Sequence, residues 1–540
     1  MENIIILPRK WNSCKSGGAV VAIAIAMAMM AGRVLGGNKV EEQVRVECGL
    51  TRFPDLCIRA LAGIEDPNVD MMSALVKKAI IETKLPESNF QKLTSHFISS
   101  EAQQARIAMD DCQELMEMSV RRLNQALEAL RRSPEKYKSD IQTFLSAAIT
   151  FHETCKDSVK DHIASNVHLG EIYRKMDFLS ELGSNPLALV NRINESNPSS
   201  SSSGRRVLEV DDGFPSWVSP ADRRLLQSTQ IKANAVVAKD GSGNFKTVSE
   251  AIQAAGGGGY VIYVKAGTYS ERINTNKDGI TLIGDGKYST IITGSGSVGN
   301  GASLRGSATF AITGDRFIAR DIGFQNSAGP SAEQAVALTV VSDHSVFFRC
   351  SIAGNQDTLY AHSLRQFYRE CDIFGTVDFI FGNAAAVFQS CTLALRSPRS
   401  GGAYNVIMAN GRTDPGQNTG FSVHNSRITV ASGSSSGKSS YLGRPWKQYS
   451  RAVVMQSNID GAISSRGWVE WPGAGGSTYK TLYFAEYQNM GAGAGTSGRV
   501  KWPGFHVIAT PEASKFTVAN FIGGTSWLPS TGVTFVAGLQ

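Results

Sequence analysis

The chain has 540 residues, which is too many for one ordinary domain. Its composition, with 42% hydrophobic and 19% charged residues, is typical of a globular protein rather than a disordered one. Residues 229–540 carry 26 Lys and Arg against 18 Asp and Glu, whereas residues 1–228 carry 28 against 29, so the net charge of +7 comes from the C-terminal part. A basic module of this kind fits a polyanionic partner, for which nucleic acid and acidic polysaccharide both qualify. A solvated surface without an anionic partner is the alternative.

The N-terminal segment predicts entry into the secretory pathway. Basic residues at 9, 10 and 15 precede an apolar run at 19–31, and small residues follow through position 37. Because this run is short for a membrane span, residues 1–37 are predicted to be a signal peptide or a signal anchor. A buried core helix is the less favoured interpretation.

Residues 44–193 are predicted to form a helical domain. This segment is rich in Ala, Leu, Met, Glu, Gln and Arg, has few glycines, and repeats apolar residues every three or four positions. It contains four of the eight cysteines, Cys48, Cys57, Cys112 and Cys155, which predict two disulfides. Of the three possible pairings we favour Cys48–Cys57 together with Cys112–Cys155.

Residues 194–228 are predicted to be a flexible linker. A serine run ends at Gly204, and dibasic pairs follow at 205–206 and at Arg223–Arg224. Exposed dibasic pairs in a secreted protein predict cleavage by a processing protease, with uncleaved surface charge as the alternative. Asn194, in the tripeptide Asn-Glu-Ser, is a predicted glycosylation site.

Residues 229–540 predict an all-β domain, because short β-branched and aromatic segments alternate with Gly, Asn and Asp. Cys350, Cys371 and Cys391 recur at nearly equal intervals in similar surroundings, and such a repeat indicates a solenoid. A parallel β-helix fits better than a leucine-rich-repeat horseshoe, since the repeats lack a helix. Stacked coils would bring Cys350 within disulfide distance of Cys371, although a Cys371–Cys391 bond is an alternative.

The same repeat predicts a cluster of acidic and amide side chains. Asp357 follows Cys350 at the same offset as Asp378 follows Cys371, so the two aspartates are one coil apart. Gln334 likewise lies one coil before Gln356.

This cluster has the parts of a catalytic site. Two neighbouring carboxyls do not both ionise easily, so one can stay protonated as an acid while the other acts as a nucleophile or base. The amides can donate hydrogen bonds to a developing oxyanion. The combination predicts an acyl-transfer site, with a polar ladder or a calcium site as the alternative.

Five segments of the second half resemble the plant pectin methylesterases, and they lie at 267–271, 334–338, 356–359, 375–382 and 442–446. The first half is more loosely similar to the pectin methylesterase inhibitor fold, a four-helix bundle with two disulfides. The resemblance implies a right-handed parallel β-helix catalytic domain preceded by an all-α, four-helix-bundle, inhibitor-like domain. It also implies processing at Arg223–Arg224 and inhibition of the enzyme by the helical domain before processing.

The resemblance implies a catalytic role for each residue of the polar cluster. Asp378 would attack the methyl-ester carbonyl of a galacturonate unit and form an acyl-enzyme. Asp357 would protonate the departing methanol and then accept a proton from the hydrolytic water. Gln356, helped by Gln334, would stabilise the oxyanion.

The resemblance also implies residues that bind the nucleophile and the substrate. Arg444 would pair with Asp378 and keep it ionised, and Trp446 would pack against a sugar ring. The chain departs from the family pattern at Leu304, where a threonine is usual, and at Arg305, where an aromatic residue is usual. These two positions would affect the subsite preference rather than the acid and nucleophile pair.

The implied reaction is hydrolysis of the methyl esters of homogalacturonan to pectate and methanol, without a metal or cofactor, by an enzyme secreted to the plant cell wall. The implied partners are this polymer, separate pectinesterase inhibitor proteins and a processing protease. Nucleic acid is not expected, and the catalytic domain is expected to be monomeric. A β-helix glycosidase or lyase and a non-enzymatic binding protein are the alternatives.

Overall fold

The computed structural model describes residues 40–64, 66, 69–84, 100–160, 167–193, 232–256, 258–399, 404–435 and 439–540. The predicted signal segment, the predicted linker with Arg223 and Arg224, and Asn194 lie outside the described residues. Within the described part of the chain, no helix is both long and apolar enough to cross a membrane.

The N-terminal region is helical, as its composition and periodicity predict. Helices α1 to α6 cover residues 40–48, Pro54–Leu61, Met71–Thr83, Ser100–Arg132, Lys138–Lys160 and Val167–Asn191. Helices α3, α4, α5 and α6 pack in a closed ring, α3 touching α4 and α6 while α5 touches α4 and α6. Val76, Leu123, Leu145 and Leu182, one from each of these helices, meet in its core. We call these four helices the helical bundle.

Two disulfides fasten the helical region, and they are the pairs favoured from the sequence. Cys48–Cys57 closes a short segment between α1 and α2. Cys112–Cys155 joins the long helices α4 and α5 across 43 residues. Both pairs are fully buried, so each bond adds to the packing of the domain.

The C-terminal region is a parallel β-helix made of three sheets with 11, 7 and 8 strands among the described residues. Sheet 1 contains the strands Ala235–Val237, Tyr260–Val264, Ile280–Gly284, Ile318–Arg320, Ser345–Phe348, Arg365–Arg369, Ala385–Gln389, Gly420–His424, Arg451–Met455, Tyr483–Tyr487 and Phe505–Val507. Sheet 2 contains Ile273–Thr275, Phe310–Ile312, Leu338–Val340, Leu359–Ala361, Ile380–Gly382, Asn405–Asn410 and Ser440–Pro445. Sheet 3 contains Gly267–Ser270, Thr290–Gly294, Gly323–Asn326, Ser351–Ala353, Asp372–Gly375, Thr392–Leu395, Arg427–Val430 and Asn458–Ile459.

Short helices accompany the β-helix. Helix α7 at Val248–Ala254 begins with a capping box between Thr247 and Glu250. The other short helices, α8 to α11, are Gly476–Thr481, Thr510–Ser514, Val518–Phe521 and Gly524–Trp527. The described residues of this region also form 3₁₀ turns at Val298–Asn300, Arg305–Ser307 and Leu528–Thr531.

The interior of the β-helix is built from stacked side chains at equivalent positions of successive coils. Phe347, Tyr368 and Phe388 occupy matching positions on neighbouring strands of sheet 1. Their rings stack with centroid separations of 4.9 and 4.7 Å, and all three are fully buried. Because parallel strands lie about 4.8 Å apart, the strand spacing alone sets this stack. The repeat detected in the sequence is therefore the stacking period of the core.

The predicted Cys350–Cys371 disulfide is wrong, because Cys350, Cys371 and Cys391 are all free and buried. The stacking is correct, since residues 351 and 372 pair on adjacent strands. Equivalent side chains of parallel strands point the same way, which holds their Cβ atoms near the strand spacing rather than the shorter separation of a disulfide. Each thiol instead donates to a backbone carbonyl, Cys350 to Ala319 at 3.4 Å and Cys371 to Phe347 at 3.2 Å.

The helical bundle packs along the β-helix through polar contacts and through an apolar cluster that includes Val341 and Leu364 of the β-helix. Arg122 of α4 forms an ion pair with Asp315, with an N–O distance of 2.6 Å, and Asp140 of α5 accepts from Arg365 at 2.7 Å. Additional polar pairs across this interface are Arg121–Asp278, Lys447–Asp157, Ser184–Asp414 and Gln417–Ser146, and Arg52, which precedes α2, also pairs with Asp414. The interface therefore depends on oriented charges on both partners.

Candidate active site

The four polar residues singled out by the coil spacing line one cavity of about 440 Å³. Asp357 lies two residues before the strand Leu359–Ala361, and Asp378 two residues before Ile380–Gly382. Leu359 pairs with Ile380, so the two aspartates occupy equivalent places on adjacent coils. Gln334 and Gln356 line the same cavity from the neighbouring turns.

Both aspartates have a left-handed backbone conformation. The φ angle is 59° at Asp357 and 50° at Asp378. Aspartate tolerates this region better than most residues, yet the conformation carries strain that the surrounding coil must offset. The Asp357 backbone N–H donates to the carbonyl of Val377 at 3.0 Å, which ties the two turns together. The coils thus hold both carboxyls in fixed positions, a feature that the sequence spacing did not reveal.

Arg444 binds the Asp378 carboxylate through two nitrogen atoms of its guanidinium. Nε lies 2.9 Å from Oδ1, and Nη2 lies 2.6 Å from Oδ2. A two-point contact of this kind fixes both the charge and the orientation of the carboxylate. The third nitrogen, Nη1, donates to the hydroxyl of Tyr404 at 3.2 Å, so Arg444 is itself oriented from a second direction.

The two buried carboxyls differ in their tendency to ionise. Burial, and then the negative charge of Asp378, raise the pKa of Asp357 well above its ordinary value. Burial also raises the pKa of Asp378, but the Arg444 guanidinium opposes that rise by charge and hydrogen bonding. Asp378 is therefore the carboxyl that is ionised first as pH rises, while Asp357 keeps its proton.

The cavity also has an aromatic wall. Trp446 meets Phe381 edge to face with ring centroids 6.1 Å apart, and Trp471 lies 6.4 Å from Trp446. Trp471 also lies over the Arg444 guanidinium, 4.3 Å from its central carbon. A Cβ at Gly411 would come within 2.8 Å of the Trp446 ring, so glycine is needed for this close approach. The resulting surface suits the flat apolar face of a ring.

Trp471 and Tyr404 are site residues that the sequence did not identify. Trp471 lies in the segment after the strand Asn458–Ile459 of sheet 3, and this segment returns to the cavity. Tyr404 belongs to no repeated motif. No sequence spacing relates either residue to Arg444, so the contact is visible only in the fold.

The helical bundle covers one side of the same cavity. Helices α4 and α5 contribute the lining residues Gln104, Ile107, Ala108, Asp111, Thr154, Asp157 and Ser158. Two of these carboxylates pair with cations of the β-helix, Asp157 with Lys447 at 2.5 Å and Asp111 with Arg305 at 3.9 Å. The bundle thus occupies space in front of the carboxyl pair with its own acidic side chains.

Some polar groups of the cavity have no partner in the part of the chain that the structure describes. The side-chain oxygen of Gln334 is buried without a hydrogen bond there, as is Nε of Arg305. Among the described residues, no three His, Cys, Asp or Glu side chains are grouped to hold a metal ion. The arrangement provides a carboxylate, a protonated carboxyl, amide groups and an aromatic wall, which together suit acyl transfer.

Two protein families match the two regions. The sequence profile described as pectinesterase matches residues 234–525, and that described as plant invertase/pectin methylesterase inhibitor matches residues 42–189. Pectinesterase 2 of Citrus sinensis is 47% identical over 511 residues, covering 92% of this chain and 95% of the relative. Probable pectinesterase/pectinesterase inhibitor 17 of Arabidopsis thaliana is 45% identical, covering 96% of this chain and 99% of the relative. The structure of pectin methylesterase from carrot aligns with a TM-score of 0.56 at 52% identity, covering 58% of this chain and 100% of that chain.

Proposed function

Because the chain belongs to the pectinesterase family and is an enzyme of that family, we propose that it hydrolyses the methyl esters of homogalacturonan to pectate and methanol. The observation that carries this proposal is the pair of buried carboxyls in one cavity, of which Asp378 is the one that binds Arg444. An ionised carboxylate beside a protonated carboxyl is the combination that attack and leaving-group protonation require.

The proposed reaction begins with attack of the Asp378 carboxylate on the ester carbonyl carbon. The tetrahedral oxyanion accepts hydrogen bonds from the amides of Gln356 and Gln334. Its collapse breaks the bond to the methoxy oxygen, which takes the proton of Asp357 and leaves as methanol. Asp357, now ionised, removes a proton from water, and the hydroxide attacks the acyl-enzyme. The products are the original Asp378 carboxylate, a protonated Asp357 and a galacturonic acid unit, which releases its proton to solvent and becomes galacturonate.

Arg444 and Trp446 have supporting roles in this proposal. Arg444 stabilises the charge of Asp378 before attack and fixes the direction of its lone pairs. Trp446, packed against Phe381, offers an apolar face to a pyranose ring of the polymer.

The test is methanol release from highly methylated pectin by residues 229–540. The buried members of the main core of this region lie between residues 235 and 500, so the region contains its own core. The carrot structure is matched over its whole length by 58% of this chain, which also supports independent folding. The wild type is expected to release methanol without shortening the polymer.

Asp378→Ala is expected to abolish turnover in this assay. Asp372→Ala is the matched control, because Asp372 lies on the same coil in sheet 3 and pairs with Lys287 away from the cavity. Normal turnover by Asp378→Ala would refute the nucleophile assignment. New reducing ends or unsaturated products would instead indicate a glycosidase or a lyase.

The helical domain is proposed to inhibit the enzyme until the chain is processed. This proposal is supported by the position of α4 and α5 in front of the carboxyl pair, where a polymer chain would have to lie. We further propose that the chain is secreted to the cell wall, glycosylated at Asn194 and cleaved at Arg223–Arg224. Specific activity should rise after cleavage, and N-terminal sequencing of the secreted enzyme identifies the site. Equal activity of the intact and cleaved forms would contradict inhibition.

A further inference from the structure

Arg305 is a cation of the β-helix whose described side-chain partners all belong to the helical bundle. Nη2 lies 3.1 Å from Oε2 of Glu114, and Nη1 lies 3.3 Å from the carbonyl oxygen of Asp111 and 3.9 Å from its Oδ1. The side chain is only 10% exposed, and its Nε is buried without a hydrogen-bond partner among the described residues. In the full chain, this guanidinium is therefore held by two carboxylates of helix α4.

The turn that presents Arg305 is firmly anchored in the β-helix. Leu304 packs against the buried cluster that contains Tyr360 and Phe381. The Ser307 backbone N–H donates to the carbonyl of Ser303 at 2.8 Å, and the Gly306 N–H donates to the Ser303 hydroxyl at 2.9 Å. The turn would therefore still present Arg305 at the cavity after the helical bundle has left, with its guanidinium released from the two carboxylates.

Removal of the bundle would leave a binding site for an anion. Arg305 lines the same cavity as Asp357, Asp378 and Arg444, so a polymer chain bound for catalysis would pass it. Its partners in the full chain are carboxylates, and a guanidinium matches the planar geometry of this group. Arg444 is unsuited to this task because Asp378 already occupies two of its nitrogens.

We propose that Arg305 is a subsite for the free carboxylate of a galacturonate unit near the ester under attack, and that Asp111 and Glu114 occupy this subsite in the full chain. This proposal rests on the proposed function, because the carboxylate it binds is the product of that reaction. Each turnover would then create a unit that this subsite binds in a following turnover. The enzyme would favour esters that lie near units already hydrolysed.

The test compares two polymers with residues 229–540 as the enzyme, which the core of the β-helix shows to be self-contained. One polymer is pectin with nearly all carboxyls methylated, and the other is the same pectin after random removal of half of its methyl groups by alkali. A charge-assisted contact predicts that kcat/KM per ester is about tenfold higher on the second polymer. Arg305→Gln is expected to bring the ratio of the two values close to one.

Two further variants make the result specific. Arg305→Lys keeps the charge and is expected to retain most of the preference. Arg320→Gln is the matched control, because Arg320 pairs with its neighbour Asp321 and does not line the cavity. Thermal unfolding of each variant establishes that it is folded, and if Arg305→Gln is not, Arg305→Met, which also removes the charge, takes its place with the same expected result.

The outcomes separate this proposal from the function on which it rests. Equal kcat/KM on both polymers for the wild type, or an unchanged preference in Arg305→Gln, would overturn the subsite while methanol release still supports the esterase. Loss of the preference in Arg320→Gln would also overturn it, since a general effect of positive charge would then be responsible. Absence of methanol from both polymers would refute the esterase function, and the subsite with it.

Discussion

The attachment of the helical bundle to the β-helix should depend strongly on one buried arginine. Arg122 is 2% exposed and contacts Asp315 through two nitrogens, at 2.6 and 2.8 Å. Arg122→Met removes the charge and keeps much of the volume. Asp315 is then left at the interface with Arg121, whose Nη2 lies 3.1 Å away and whose side chain is 36% exposed.

The expected loss of interaction free energy follows from this geometry. Removing one member of a buried ion pair costs about 3–5 kcal/mol, because the other charge remains buried. Since Arg121 continues to contact Asp315, the lower limit applies, and about 3 kcal/mol corresponds to roughly a 150-fold weaker association. Helix α4 and its own core should be little affected, because the methionine can pack where the arginine stem lies.

The assay uses the full chain after cleavage in the linker and measures association of the two pieces by sedimentation over a range of concentrations. Arg132→Met is the matched control, since Arg132 lies on the same helix, is 62% exposed and, within the described part of the chain, pairs with Glu128 four residues before it. The control should associate like the wild type. An association constant for Arg122→Met within threefold of the control would show that the ion pair does not hold the bundle in place.

Three other outcomes are expected. Arg444→Gln removes the cation that opposes the rise in the pKa of Asp378, so the low-pH limb of kcat/KM should move to higher pH. The sign follows because the reaction needs the Asp378 carboxylate, which is lost as pH falls through its pKa. Phe347→Ala removes a fully buried ring of the stack and should lower the free energy of unfolding by about 3–5 kcal/mol in chemical denaturation. Joint replacement of Cys112 and Cys155 by serine releases a 43-residue loop and should lower the free energy of unfolding of the helical domain by about 4 kcal/mol.

Each of these outcomes has a matched control. Arg466→Gln changes an exposed arginine paired with Glu470 and should leave the pH profile unchanged. Met490→Ala truncates a side chain that is 56% exposed and should change stability by less than about 0.5 kcal/mol. Opening the shorter Cys48–Cys57 loop should cost only about 2.5 kcal/mol. A larger loss for the shorter loop would show that loop length does not govern the contribution of these bonds.

The fold was predictable because repeated positions of the β-helix have repeated environments. Phe347, Tyr368 and Phe388 recur once in each coil and stack in the core, so sequence spacing translates directly into height along the solenoid. The same translation placed Asp357 and Asp378 together. Their chemical roles remain predictions, since spacing determines proximity and not reactivity.

The contacts that could not be predicted are those between residues that no sequence repeat relates. The pairing of Arg305 with Asp111 and Glu114 joins segments far apart in the sequence through the packing of two domains, and no motif relates them. The position of Trp471 over Arg444 depends on the path of one loop. The disulfide expected between Cys350 and Cys371 failed for a different reason, because equivalent positions on adjacent coils were taken to have the geometry of a disulfide.

The three stacked thiols have a consequence for how this protein matures. The described cysteines comprise four that form disulfides and three that stay reduced within the β-helix, each at most 1% exposed. In an oxidising compartment, a thiol survives only where oxidants and other thiols do not reach it. If the chain is secreted as proposed, the β-helix must close around these sulfurs before they exchange with the cysteines of the helical domain. The formation of the native disulfides would then depend on the rate at which the β-helix folds as well as on its stability. A coil that folds slowly would leave its thiol exposed long enough to form a mispaired disulfide.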